Sequence, residues 1–149
     1  HVVQRQSTKT NTGYTNATTS FSDITGATLT FTPKFASSTL LIKYVYSVNV
    51  YTSGTNNNAG GVIRLVHDGT ALDYNASGNY EHYYQNDAAG GTGPNNYARA
   101  IKIAEVAASN TNARVIKAQG RIYSAITAGL RINQGDYYTS YFIVEEIAG

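Results

Sequence analysis

The stretch from Leu40 to Val50 alternates its side chains with a period of two, and it restricts the possible folds more than any other part of the chain. Side chains of a β-strand point alternately to its two faces, whereas those of a helix do not. One side of the run carries Lys43, Ser47 and Asn49 together with the apolar Leu41 and Val45. The other side is apolar throughout, and it consists of Leu40, Ile42, Tyr44, Tyr46, Val48 and Val50. The pattern predicts a long strand with one face on a hydrophobic core.

The composition predicts one all-β domain over residues 1–149. A chain of 149 residues falls within the roughly 100–200 residues of a single unit. Hydrophobic residues make up 42% and charged residues only 13%, and strand-forming residues dominate the long apolar segments. Gly, Asn, Ser and Thr are abundant, as is typical of a β protein with polar loops.

Turn signals divide the chain into short segments with strand character. Asp68-Gly69 favours the positive φ angles of a type I′ hairpin, and Thr25-Gly26 predicts a further turn. Strands are predicted near residues 2–10, 14–20, 27–31, 39–51, 61–67, 70–74, 80–85, 97–106, 113–124, 129–132 and 137–147. Many short strands with regular turns predict a two-sheet antiparallel sandwich, and specifically a jelly roll.

One segment is ambiguous between helix and strand. Ala98 to Ala108 contains good helix formers, but Ile101 and Ile103 alternate, and we interpret the segment as a strand. A clearer alternation from Ile116 to Ile122 predicts one buried and one solvated face. The side chains predicted to be mostly buried are Leu40, Ile42, Tyr44, Val48, Ile116, Ile122 and Ile143.

Several short motifs occur in a fixed order along the chain. They are Val2-Val3-Gln4 with Lys9-Thr10, then Phe21 to Gly26, then Thr32-Pro33 leading through Ser37-Ser38, the hairpin from Arg64 to Thr70, and the closing strand from Tyr141 to Ile147. In this order they resemble a β-domain of structural proteins of tailed bacteriophages, especially marine and cyanobacterial phages. There the domain typically lies at the distal end of a tail fibre. The likeness covers residues 2–72 and the C-terminus, and it is weak from Asp73 to Asn112.

The resemblance implies a sandwich fold, a place at the surface of a virion and contacts with other virion proteins. The predicted strand order is also similar to trimeric jelly rolls of the tumour-necrosis-factor type, although this is an analogy of architecture. A homotrimer is therefore expected. Candidate residues for the subunit interface are Tyr51, Tyr123, Tyr138 and Tyr141. Alternatively, these tyrosines cap the ends of the core with their hydroxyls in water.

The residue types that support catalysis or metal binding do not converge. Cysteine is absent, which excludes disulfides and thiolate metal sites. Asp68 next to His67 is explained by a tight turn, and the neighbours Glu81 and His82 would point to opposite faces of a strand. There is no Gly-x-Ser-x-Gly nucleophile motif and no evident acid pair. We therefore expect no enzyme, no metal and no cofactor.

Charge and hydropathy give no support for two further classes of partner. A net charge of +2 from mixed basic and acidic residues gives no support for nucleic-acid binding. Apolar runs stay below the ~18 residues needed to span a bilayer, so no membrane insertion is expected.

A tyrosine- and asparagine-rich stretch lies where the family likeness fades. Tyrosine supplies rigid amphipathic contact area and asparagine supplies adaptable hydrogen bonds, a composition used by binding loops. The stretch is a candidate receptor-binding surface for a host cell-surface polysaccharide or protein. The alternative is a solvated loop with some tyrosines in the core. The candidate residues are Tyr74, Tyr80, Tyr83, Tyr84, Asn86, Asn95, Asn96 and Tyr97.

The function predicted from the sequence is that of a non-enzymatic virion structural protein, and most specifically a tail-fibre tip domain that attaches to the host surface. The alternative is a capsid decoration or appendage subunit with a role in assembly. An enzyme acting on surface glycans is disfavoured, because no acid pair is evident.

Overall fold

The computed structural model describes residues 1–52, 58–72, 82–85, 95–123, 129–134 and 138–149. Eleven strands lie in this part of the chain. They are β1 (Val2–Thr10), β2 (Tyr14–Asn16), β3 (Ser22–Phe31), β4 (Thr39–Tyr51), β5 (Asn58–His67), β6 (Thr70–Leu72), β7 (His82–Gln85), β8 (Asn95–Ala107), β9 (Arg114–Ile122), β10 (Gly129–Ile132) and β11 (Ser140–Ile147). No described helix is long and apolar enough to cross a membrane.

The strands form two antiparallel sheets. In the first sheet β4 is central: β8 pairs along one edge, while β11 and β10 follow each other along the other edge. β1 then pairs with β11, and β2 with β10. In the second sheet the order is β3-β9-β5, with β6 and β7 both on the far edge of β5. Successive long strands alternate between the sheets, which confirms the predicted sandwich and gives it the order of a jelly roll.

The core lies between the inward faces of the two sheets. β4 contributes Leu40, Ile42 and Tyr44, each fully buried, and the predicted apolar side is buried along the whole strand. The other side is half-buried as far as Val45, but Ser47 and Asn49 are buried, so the alternation of burial is confirmed only in the first part of the strand. Ile116 and Ile122 on β9 are buried as predicted. Most strand residues on the opposite, outward faces are half-buried or exposed.

Ile143 was predicted to be mostly buried, and it is half-buried on the outward face and not in the core. β11 turns Phe142, Val144 and Glu146 inward, and Ile143 lies half-buried on the outward face opposite Lys43. The closing strand is almost continuously apolar around Phe142 to Val144, so its sequence does not show which face is inward.

Two turn predictions had different outcomes. Asp68 and Gly69 have φ of 48° and 85° and connect β5 to β6, as the hairpin prediction requires. Thr25-Gly26 does not end a strand but lies inside β3, where the register with β9 shifts between Asp23 and Thr28. Gly26 has a φ of 76°, so the turn signal marks a bulge.

The ambiguous segment 98–108 falls in β8 up to Ala107, which confirms the strand interpretation.

Candidate functional site

The described residues of the tyrosine-rich stretch lie near one end of the sandwich. At this end Tyr51 of β4 pairs with Asn95 of β8, and Asn58 of β5 pairs with Gln85 of β7. We call this the loop end. Both chain termini lie at the opposite end, where Ala148 N donates a 3.0 Å hydrogen bond to His1 O.

A column of aromatic side chains supports the loop end from within the core. The Tyr44 and Tyr46 rings stack at 4.7 Å, and Phe142 meets Tyr44 edge-on at 5.8 Å. His82 of β7 continues the column: its Nε2 lies 2.8 Å from Tyr46 Oη and its ring is edge-on to Tyr46. This contact joins the two sheets. Burial, together with the charge of Lys102, lowers the pKa of His82 to about 4, so the imidazole is neutral at pH 7.

The two candidate receptor-binding side chains that the structure describes, Tyr83 and Tyr97, lie on opposite faces of the sandwich. Tyr83 pairs with Gly60 on the outward face of the second sheet and is 39% exposed, whereas Tyr97 pairs with Asn49 on the outward face of the first sheet and is 50% exposed. The backbones of Tyr84, Asn95 and Asn96 lie in β7 and β8. Tyr74, Tyr80 and Asn86 lie outside the described residues.

A basic and aromatic cluster that sequence reasoning missed lies on the outward face of the second sheet. Arg64 of β5 and Arg121 of β9 both stack on Phe21, with guanidinium carbons 3.9 and 4.9 Å from the ring centroid. Gln119 accepts a 2.8 Å bond from Arg64 and donates one of 2.6 Å to Asp23. The alternation of β9 predicted that Arg121 faces outward, but only the pairing of β5 with β9 brings it to Arg64.

The four predicted interface tyrosines are divided between two sheets. Tyr51 and Tyr141 lie on the outward face of the first sheet, where Tyr51 covers Gly129 and stacks under Arg131 at 3.8 Å. Tyr123 follows β9 in the second sheet, and Tyr138 precedes β11 with 37% exposure. These positions in a single chain do not test whether the tyrosines contact another subunit. The trimer interface therefore stays a prediction.

The cavity at the opposite end is built around a structural arginine. It has a volume of about 260 Å³ and is lined by His67, Asp68 and Arg114, among others. Arg114 is 6% exposed and donates to the carbonyls of Ala108, Asn110 and Asn112, to the Asn110 side chain and to His67 Nε2. Burial and the Arg114 charge lower the pKa of His67. The guanidinium is thus used to hold the turn between β8 and β9, and no described group of three or more metal-ligating side chains is present.

Comparisons with known proteins add little to this geometry. No family model and no curated protein matches the sequence. In the solved structure of infectious bursal disease virus Gx strain, one chain aligns with 97% of this chain at 13% identity and a TM-score of 0.30. The alignment spans 37% of that viral chain. A likeness of this degree does not identify a family or a function.

Three of the motifs that carry the resemblance to phage proteins meet in a structural network around Glu146. Glu146 of the closing strand is completely buried and accepts hydrogen bonds from Gln4, from the backbones of Lys34 and Phe35, and from Ser38. These bonds join the first motif, the Thr32-Pro33 passage and the chain ending.

Proposed function

We propose that this chain is a non-enzymatic structural subunit of a virion and that it forms the tip domain of a tail fibre that attaches to the host cell. The order of its sequence motifs supports the phage origin. The sandwich supplies a rigid base for the loop end, and the chain termini lie at the other end. The ligand class is a cell-surface polysaccharide or protein.

Exposed tyrosines at the loop end are the observation that carries the attachment role. Tyr83 and Tyr97 are 39% and 50% exposed although they lie in regular strands. The column through Tyr46 and His82 anchors β7, which carries Tyr83. Aromatic faces held rigidly in this way lose little entropy on binding and stack well on sugar rings or apolar side chains.

The test replaces each tyrosine and measures binding of the purified chain to host cells together with its melting temperature. Tyr83→Ala and Tyr97→Ala should be made separately, because the two side chains lie on opposite faces and a receptor engages them differently. We expect at least one change to weaken binding by about tenfold, the loss typical of a central contact residue. The melting temperature should stay nearly unchanged.

Phe35→Ala is the matched control, because Phe35 is 52% exposed but follows Pro33 near the opposite end of the sandwich. It should leave cell binding intact. If neither tyrosine substitution weakens binding, the host-attachment role is wrong.

The second candidate is a decoration or appendage subunit with an assembly role. The observation that favours it is the apolar outward face of the first sheet, where Ile101 and Ile103 are 54% and 45% exposed. Contiguous exposed apolar side chains of this kind mark protein contact surfaces. The homotrimer expected from the resemblance stays a prediction under either role, and the mass of the purified chain tests it.

A further inference from the structure

We propose that the outward face of the first sheet is a docking surface for a second copy of this chain, with the two sheets packed face to face about a twofold axis. In this arrangement β8 of one copy runs antiparallel to β8 of the other. The proposal goes beyond the virion role and does not depend on it.

The face presents apolar side chains from three neighbouring strands. Ile101 of β8 lies beside Val45 of β4, which lies beside Tyr141 of β11. In the next row Ile103 and Ile143 flank Lys43. Lys43 is neutralised by a 2.7 Å ion pair with Glu145. Tyr141 is 37% exposed, and Ile101 and Ile103 of β8 are 54% and 45% exposed, so the patch contains large side chains that this copy leaves only partly covered.

The charges on β8 indicate what covers this patch. Arg99, Ile101, Ile103 and Glu105 occupy successive outward positions of the strand, and all four are exposed. Neither Arg99 nor Glu105 forms an ion pair with any described side chain. This strand pattern, two apolar residues between a positive and a negative one, is complementary to a second copy of itself that runs in the opposite direction. A twofold axis level with residue 102 places Arg99 against Glu105 of the partner subunit and Ile101 against the partner's Ile103.

The charges of β8 fit a contact through its outward face better than a contact through its free edge. Among the described residues, β8 pairs only with β4, and no described strand occupies its other edge, where an added strand is the alternative contact. An antiparallel edge pair in the same register would place Lys102 directly against the partner's Lys102, and like charges in that position repel. Lys102 lies on the inward side of β8, opposite Tyr44. Packing through the outward faces leaves the two lysines apart.

A twofold contact closes with an even number of copies. It predicts a dimer, or six copies if a threefold contact through another surface is also present. The test is the solution mass of the wild-type chain at high micromolar concentration, measured by light scattering and sedimentation. A monomer or a trimer would overturn the proposal.

Charge reversal distinguishes this contact from other routes to a dimer. R99E and E105R should each weaken association by about tenfold, because each creates two like-charge contacts across the axis. The double variant R99E/E105R should regain the wild-type affinity. Mixing the two single variants should give a heterodimer, because the two acidic side chains of one variant then face the two basic side chains of the other.

Ile103→Glu should give monomers, and Val115→Glu is its matched control. Val115 is 44% exposed on β9 of the other sheet, so this change should leave the mass and the folding unaltered. Far-ultraviolet circular dichroism checks that each variant folds. If the double variant and the mixture both fail to restore association while folding normally, Arg99 and Glu105 do not meet and the proposed geometry is wrong.

Discussion

Glu146 shows how one residue can determine the arrangement of a whole end of the domain. Burial opposes ionisation of this carboxyl group, but the hydrogen bonds from Lys34, Ser38, Phe35 and Gln4 together outweigh it and hold the pKa of Glu146 below its ordinary value of 4.5. The carboxylate therefore stays charged inside the protein. Its bonds attach the 32–38 segment and the first strand to the last strand.

Replacing Glu146 with Gln should lower the free energy of unfolding by about 3 kcal/mol, since an amide nitrogen cannot accept from the surrounding donors and leaves them unpaired. Chemical denaturation at neutral pH measures the loss. Glu145→Gln is the control: Glu145 is the sequence neighbour on the outward face, where ion pairs with Lys43 and Arg5 contribute only about 0–1 kcal/mol. Equal losses of unfolding free energy in the two variants would show that the buried network contributes no more to stability than the ion pairs of Glu145.

The same network gives the wild-type chain an acid dependence that the Gln variant lacks. Because the folded-state pKa of Glu146 lies below 4.5, its stabilisation is complete above that pH and is lost as the pH falls through the folded pKa.

His82 makes stability fall at milder pH. Its pKa is about 4 in the folded state against an ordinary value of 6.5, so the unfolded chain takes up a proton first as the pH decreases. The contribution of His82 to stability is therefore complete above pH 6.5 and is lost between pH 6.5 and pH 4. This loss lowers the free energy of unfolding by at most about 3 kcal/mol. Unfolding measured across this window should show a slope that His82→Gln reduces. A His1→Gln control should keep the slope, and an imidazole that titrates near 6.5 by NMR would contradict the assignment.

At the scale of single elements, the bulge in β3 depends on Gly26. This residue combines a φ of 76° with a neighbour so close that a Cβ would overlap the Thr10 side chain. Thr8 Oγ1 also donates a 2.7 Å bond to Gly26 O. β1 can approach β3 at this point only because the glycine has no side chain.

Gly26→Ala should therefore destabilise the domain by about 2 kcal/mol or more, from backbone strain and from displacement of Thr10. Gly69→Ala separates the two effects, because Gly69 has a similar φ of 85° but nothing within 4 Å of the added Cβ. It should cost about 1 kcal/mol. Thermal unfolding of both variants measures the difference, and equal losses would mean that the contact with Thr10 contributes nothing.

The elements that sequence could predict are those with a clear period and strong turn chemistry. β4 is bounded by residues 39 and 51 as expected, since each inward position is apolar. β2 ends at Asn16 instead of continuing to residue 20, because Asn16 Oδ1 accepts from Thr18 N and turns the chain. The sequence does not show that Ile143 faces outward, because an almost continuous apolar run has no readable period.

For the molecule as a whole, the sequence predicted the architecture, whereas the spatial positions of the candidate site residues depend on strand pairings that it does not show. Which strands carry Tyr83 and Tyr97 could be read locally, but which outward face each side chain reaches depends on the pairing of β7 with β5 and of β8 with β4. Those pairings join residues far apart in the chain, and a single sequence has no local signal for them. The Arg64, Phe21 and Arg121 cluster was missed for the same reason.

The contact between His1 and Ala148 makes the chain suited to circular permutation. Joining the two ends with a short flexible linker would cross no strand, and new ends could be opened at the exposed turn of Asp68 and Gly69. In such a rearranged chain β1 and β11 would become consecutive, so the pairing that now joins the first and last strands would form as a local hairpin. Lower contact order of this kind speeds folding.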